Sequence, residues 1–151
     1  MREIAKYIRL VKIASYERAY MQNKSSNELA TEFCLICVVP LIIGLKLHNI
    51  NEYYDFIEGR KSDPLLNIFD MKLGNDLSGW LFTREERNNY QQQIPITDIN
   101  SKLIEIYNAL FIEQYIDKTS KKVGEFVFNR RIKLLLLRIE NLLSDFSDFN
   151  Y

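Results

Sequence analysis

The chain has 151 residues, with 20 Lys and Arg against 20 Asp and Glu, and is 47% apolar and 13% aromatic. At this length such an apolar content supports one folded domain over residues 1–151 and excludes a disordered or fibrous chain. Five Gly and three Pro are too few for the turns of an all-β fold, and zero net charge argues against a general nucleic-acid or anionic-membrane binder.

The predicted elements are helical throughout. A first helix is expected over 3–22, with Ile4, Tyr7, Ile8 and Val11 on one face and Arg2, Lys6 and Arg9 opposite. Its interspersed charges are unlike the unbroken apolar block of a secretory signal, which implies a cytoplasmic protein. Ser25 and Glu28 are spaced as a capping box for a second helix. That helix carries the strongest apolar run, over 33–45. The run is shorter than the roughly 20 residues that span a bilayer, so a core helix and no membrane contact are expected. Pro40 should kink or split it, because proline removes a backbone donor and crowds the preceding turn.

Asn49 and Glu52 are spaced to cap a short helix that presents Ile50, Tyr53, Tyr54 and Ile57 together and ends at Gly59. Asp63-Pro64 opens another, running toward Gly74. Ser78-Gly79 marks a turn, and 80–82 reads as an extended segment or a buried plug. Thr83 and Glu86 cap a polar helix to about residue 92, and Pro95 holds 94–96 extended. Thr97 or Asp98 should cap a helix with Ile99, Leu103, Ile106 and Leu110 inside. After a polar break, the last helix is expected over 122–144, its inner face made by Ile132, Leu135, Leu136, Ile139, Leu143 and Phe146. Leu134 and Leu137 point the other way, which suggests a helix surrounded on all sides. The fold class is therefore all-α: a single compact bundle of six to eight helices, with a Pro-kinked central helix and a long C-terminal helix.

Motifs for chemistry are sparse. Cys34 and Cys37 have the C-x-x-C spacing of a redox pair or half a zinc site, but no further cysteine completes a metal site and both sit in the apolar run, where reduced core thiols are expected. His48 is the sole imidazole and stands at a helix end. Helical nucleases with an Arg-x4-6-His motif would need Arg at 41–43, where Leu41, Ile42 and Ile43 stand. The five glycines are single and scattered, so no phosphate cradle is present. The expectation is a non-enzymatic protein with no metal and no cofactor.

Charge is segmented although it sums to zero. Residues 1–24 and 121–138 are basic, whereas 47–79 holds Glu52, Asp55, Glu58, Asp63, Asp70 and Asp76 against three basic residues. Such segregation suits steered association with a complementary protein. In this profile, short, helical, rich in Ile, Asn, Lys and Tyr and without enzymatic motifs, the chain resembles the small immunity proteins that bacteria encode beside secreted or contact-delivered toxins. The resemblance implies neutralisation of a cognate toxin by blocking its active site. Against a basic nuclease toxin the contact would run from Glu52 to Asp76, including Asp70. Glu52, Asp55, Glu58 and Asp63 would mimic phosphates, and Tyr53, Tyr54, Phe56 and Trp80 are candidate aromatic anchors, although the spacing of Tyr53 and Tyr54 with Ile50 and Ile57 favours core packing for those two. Two alternatives stand beside it: a nucleic-acid or regulatory protein using Arg2, Lys6, Arg9, Arg130 and Arg131, and a structural protein self-associating through Leu134 and Leu137.

Overall fold

The structure, a computed structural model, describes residues 26–67 and 79–147. The helix expected over 3–22, together with Asp70 and Asp76, lies outside them, as do Arg2, Lys6 and Arg9. Within the described residues the protein is mostly helical, with seven α-helices and one antiparallel hairpin. The hairpin corrects the all-α expectation.

Helix α1 (Ser26–Phe33) continues through a π turn (Cys34–Val38) into α2 (Val39–His48). Pro40 therefore does not split the helix. The Val39 N–H reaches back five residues to the Cys34 carbonyl, so the wider turn lies just where the proline ring would crowd an α-helical one. The continuous helix is also longer than its apolar run: Glu28–His48 is long and apolar enough, by length and composition, to cross a bilayer, yet 61% of its most apolar window is buried inside the protein. Ala30, Phe33, Cys34, Val38, Leu41 and Ile42 supply that burial.

Helix α3 (Ile50–Ile57) is capped as its sequence asks, Asn49 Oδ1 accepting the Glu52 N–H at 3.2 Å. Its inner face is rotated by roughly 60° from the expected one: Tyr53 and Phe56 are buried, while Ile50 and Tyr54 are exposed. Phe56 turns inward because three rings meet there, lying 5.1 Å from Tyr107 and 4.8 Å from Phe111. Gly59, at φ +81, ends the segment. Helix α4 (Asp63–Asn67) follows, with Pro64 and Leu65 buried.

Residues 80–82 form the plug. Leu81 and Phe82 are buried and Trp80 packs partly against the core. Helix α5 (Arg84–Asn88) starts on a complete Thr83–Glu86 capping box but stops short of residue 92. Helix α6 (Ile96–Phe111) begins directly after extended Pro95, with no side-chain cap. Asp98 is diverted from that role by Tyr90, whose hydroxyl donates to it at 2.7 Å. Ile99, Leu103, Ile106, Tyr107 and Leu110 make its buried face.

Where the last helix was expected to start, the chain instead forms strands β1 (Ser120–Val123) and β2 (Phe126–Asn129), paired Ser120 with Asn129 through Val123 with Phe126. Gly124, at φ +57, opens the two-residue loop, a conformation that costs glycine nothing. Phe126 and Phe128 alternate inward, and Phe126 stacks 5.1 Å from Phe33 of α1. Burying one such ring contributes about 1.5–3 kcal/mol. Helix α7 (Arg130–Ser147) then crosses α2 and α6. Ile132 and Leu136 face inward as expected, but Leu134 and Leu137 remain half exposed rather than surrounded. The side chain of Phe146 is not among those described.

Candidate functional site: the groove between the first and last helices

A groove of about 670 Å³ lies between α1 and α7. One wall carries Glu28, Thr31, Glu32 and Leu35 at the i, i+3, i+4, i+7 spacing of a single helix face. The other carries Arg131, Leu134, Leu135 and Arg138, again spaced i, i+3, i+4, i+7, with Asn129 and Ile132 at its end and floor. The hairpin sets this separation, because β2 packs on α1 and leads straight into α7. Asn129 Oδ1 accepts the Ile132 N–H at 3.3 Å, fixing how α7 leaves the strand.

The groove is apolar at its centre and charged at its edges. Leu35 is 43% exposed and Leu134 51%, and Leu137, on the outer flank of α7, is 50% exposed. An uncovered leucine is ordinary alone; here Leu35 and Leu134 line the two walls of one groove. Arg131 and Arg138 are exposed and hold no ion pair among the described residues. The spacing of Leu134 and Leu137 had drawn attention to this helix; the facing wall carried no sequence signal, because the hairpin that brings α1 and α7 together was not foreseen.

The acidic segment is built differently. Arg60 Nη2 lies 2.9 Å from Asp55 Oδ1, and the same guanidinium holds Glu58. Lys61 stands 3.7 Å from Glu52, which also accepts from Asn49. Both hydrogen bonds favour the charged guanidinium of Arg60 and raise its pKa. Three of the expected phosphate mimics thus have cations from their own chain, and Phe56 has no exposed ring to offer. Asp63 is exposed at the start of α4. Trp80 is held at the hairpin, its carbonyl accepting the Glu125 N–H at 2.8 Å.

The remaining polar clusters also satisfy themselves. A smaller cleft of about 320 Å³ lies between α5 and α6. There Lys102 pairs with Glu86 and sits over the Phe82 ring. Glu86 titrates below the usual carboxylate range: burial would raise it, but Lys102 and the Thr83 N–H outweigh that. Tyr90 is pushed up by its bond to Asp98, so it gives up its proton less readily than a free phenol. Behind α7, Lys133 donates to the Glu113 carbonyl and lies over the Tyr115 ring. Cys34 and Cys37 are buried thiols; burial raises both, Cys37 to about 12. His48 is exposed at the end of α2.

The class these features define is a mostly helical domain with a groove spaced by a hairpin. The chain matches no protein-family model, no curated protein and no solved structure.

Proposed function

We propose that the protein is a non-enzymatic, cytoplasmic protein-binding module that seats a partner in the α1–α7 groove. The observation that carries this is that Leu35 and Leu134, both about half exposed, line opposite walls of one groove between charged helix edges. The polar clusters elsewhere among the described residues are paired internally, which supports docking over turnover. Two free buried thiols suit a reducing compartment. Burial of the Glu28–His48 window supports a core helix in place of a membrane span.

Neutralisation of a cognate protein toxin, the role implied by the immunity-protein resemblance, is the form of docking we favour. A folded plug on a toxin's working surface needs no catalytic group of its own. The groove leaves room for this without the acidic segment, whose carboxylates are partnered.

The test is retention of partner by the immobilised protein from source-cell extract, comparing the native chain with Leu35→Asp/Leu134→Asp. Stoichiometric recovery of a protein on the native chain, lost on the variant while its circular dichroism is unchanged, is the expected result. Equal recovery on both would move the docking surface elsewhere. Recovery of nucleic acid alone would replace the reading.

A further inference from the structure

We infer that the groove's occupant is an acidic amphipathic helix of a partner protein; this rests on the docking reading above and adds the chemistry of what docks. The basic side chains around α7 fall into two sets. Arg130 lies 3.3 Å from Asp117, Lys121 lies 3.7 Å from Glu113, and Lys133 is held by the Glu113 carbonyl. Arg131 and Arg138 differ: both are exposed, both border the groove, and neither has a counter-ion among the described residues.

The opposite wall is already engaged. Glu28, Thr31 and Glu32 each already hold a polar or electrostatic contact. The positive charges of Arg131 and Arg138 are thus left for an occupant to meet. Arg131 and Arg138 are seven residues apart, about 10 Å along the helix axis. Two carboxylates seven residues apart on a second helix lie at the same rise and on the same face, so one straight helix can meet both arginines at once. Apolar side chains between them would cover Leu134 and Leu35, the arrangement by which an amphipathic helix fills a groove. An anionic lipid surface fits less well. A concave cleft does not lie flat on a bilayer.

The experiment titrates the full chain into two fluorescein-labelled synthetic helical peptides, read by anisotropy. Each carries a leucine stripe on one face and two charged residues seven apart beside it, Glu in one peptide and Lys in the other. The Glu peptide should bind the native chain more tightly. Arg131→Glu/Arg138→Glu should weaken it by about a hundredfold, roughly tenfold for each charge contact, and bind the Lys peptide in its place. Both substitutions are at exposed positions, and circular dichroism checks that the fold persists.

Preference of the native chain for the Lys peptide would overturn the inference, as would a peptide preference that charge reversal leaves unmoved. A salt-sensitive native dimer by light scattering, dissociated by the same two substitutions, would make the occupant a second copy and also overturn it. So would capture of the native chain by phosphatidylserine vesicles with neither peptide bound. If neither peptide binds while Leu35→Asp/Leu134→Asp still abolishes partner retention, this inference fails and the docking reading stands.

Discussion

The Tyr107 hydroxyl donates to the Phe56 carbonyl at 2.6 Å and accepts the Lys61 N–H at 3.2 Å. One phenol on α6 thereby fastens both the end of α3 and the turn that follows it. The ring stacks within the Phe56–Phe111 cluster, so the hydroxyl is placed by packing before it bonds. Tyr107→Phe keeps the ring and removes both bonds. It should cost about 1–2 kcal/mol, read as a lowered midpoint in urea with the far-ultraviolet spectrum unchanged.

Gly124 has less room for a side chain than Gly59. A Cβ there would stand 2.3 Å from the Leu81 carbonyl carbon and oxygen and 2.4 Å from the Trp80 oxygen, all backbone atoms, and φ is +57. Gly124→Ala must move the hairpin or the plug, and a loss of more than about 3 kcal/mol is expected from clash and strain together. Gly59→Ala, at φ +81 with Ile112 Cγ1 at 3.0 Å and the Phe111 oxygen at 3.2 Å, should be milder because the nearest atom belongs to a side chain that can shift. Thermal unfolding of the two variants side by side checks the order.

Two carboxylates should give stability opposite slopes with pH. Glu86 is lowered in the folded protein, so its contribution is present above the ordinary glutamate pKa of about 4.3 and lost as pH falls through the lowered value. Glu86→Gln should flatten the acid limb of stability against pH. Glu140 is raised by burial, only partly offset by Lys133. Its contribution is fully present below the ordinary value and lost as pH rises through the raised one, so Glu140→Gln should gain stability at neutral pH relative to the native chain. Denaturant unfolding across pH 3–8, on the order of one point per pH unit to resolve each titration, measures both.

Cys34 and Cys37 should resist thiol reagents in the folded protein. Both are buried, and burial disfavours the thiolate that would attack. Labelling by a maleimide should be slow in buffer and complete in denaturant. Rapid labelling of the native chain would mean that the π turn opens readily.

Much of the helical framework was legible because its signals are local. Asn49 with Glu52 and Thr83 with Glu86 cap helices where their spacing says so, and the inner face of α6 follows its period. The hairpin escaped because its strand signal is only Phe126-Val127-Phe128, preceded by lysines that read as a break. A four-residue strand offers too few alternations to outweigh a helical pattern beginning nearby. The face of α3 was misplaced because Ile50 and Tyr54 are apolar yet exposed, and only the distant rings on α6 decide which side turns in. The pairing of Asp55 and Glu58 with Arg60 depends on the turn at Gly59 folding the guanidinium back. The groove depends on long-range assembly most of all, so composition points to the acidic segment while geometry leaves Arg131 and Arg138 without an ion pair among the described residues.

The meeting of Phe33 with Phe126 also bears on synthesis. A ribosome delivers the greasiest helix about 90 residues before its cover, the hairpin. Throughout that interval the nascent polypeptide carries a sticky flank, a natural foothold for chaperones. Truncated products ending before the hairpin should accumulate as aggregates, and slowing translation would lengthen the period of risk.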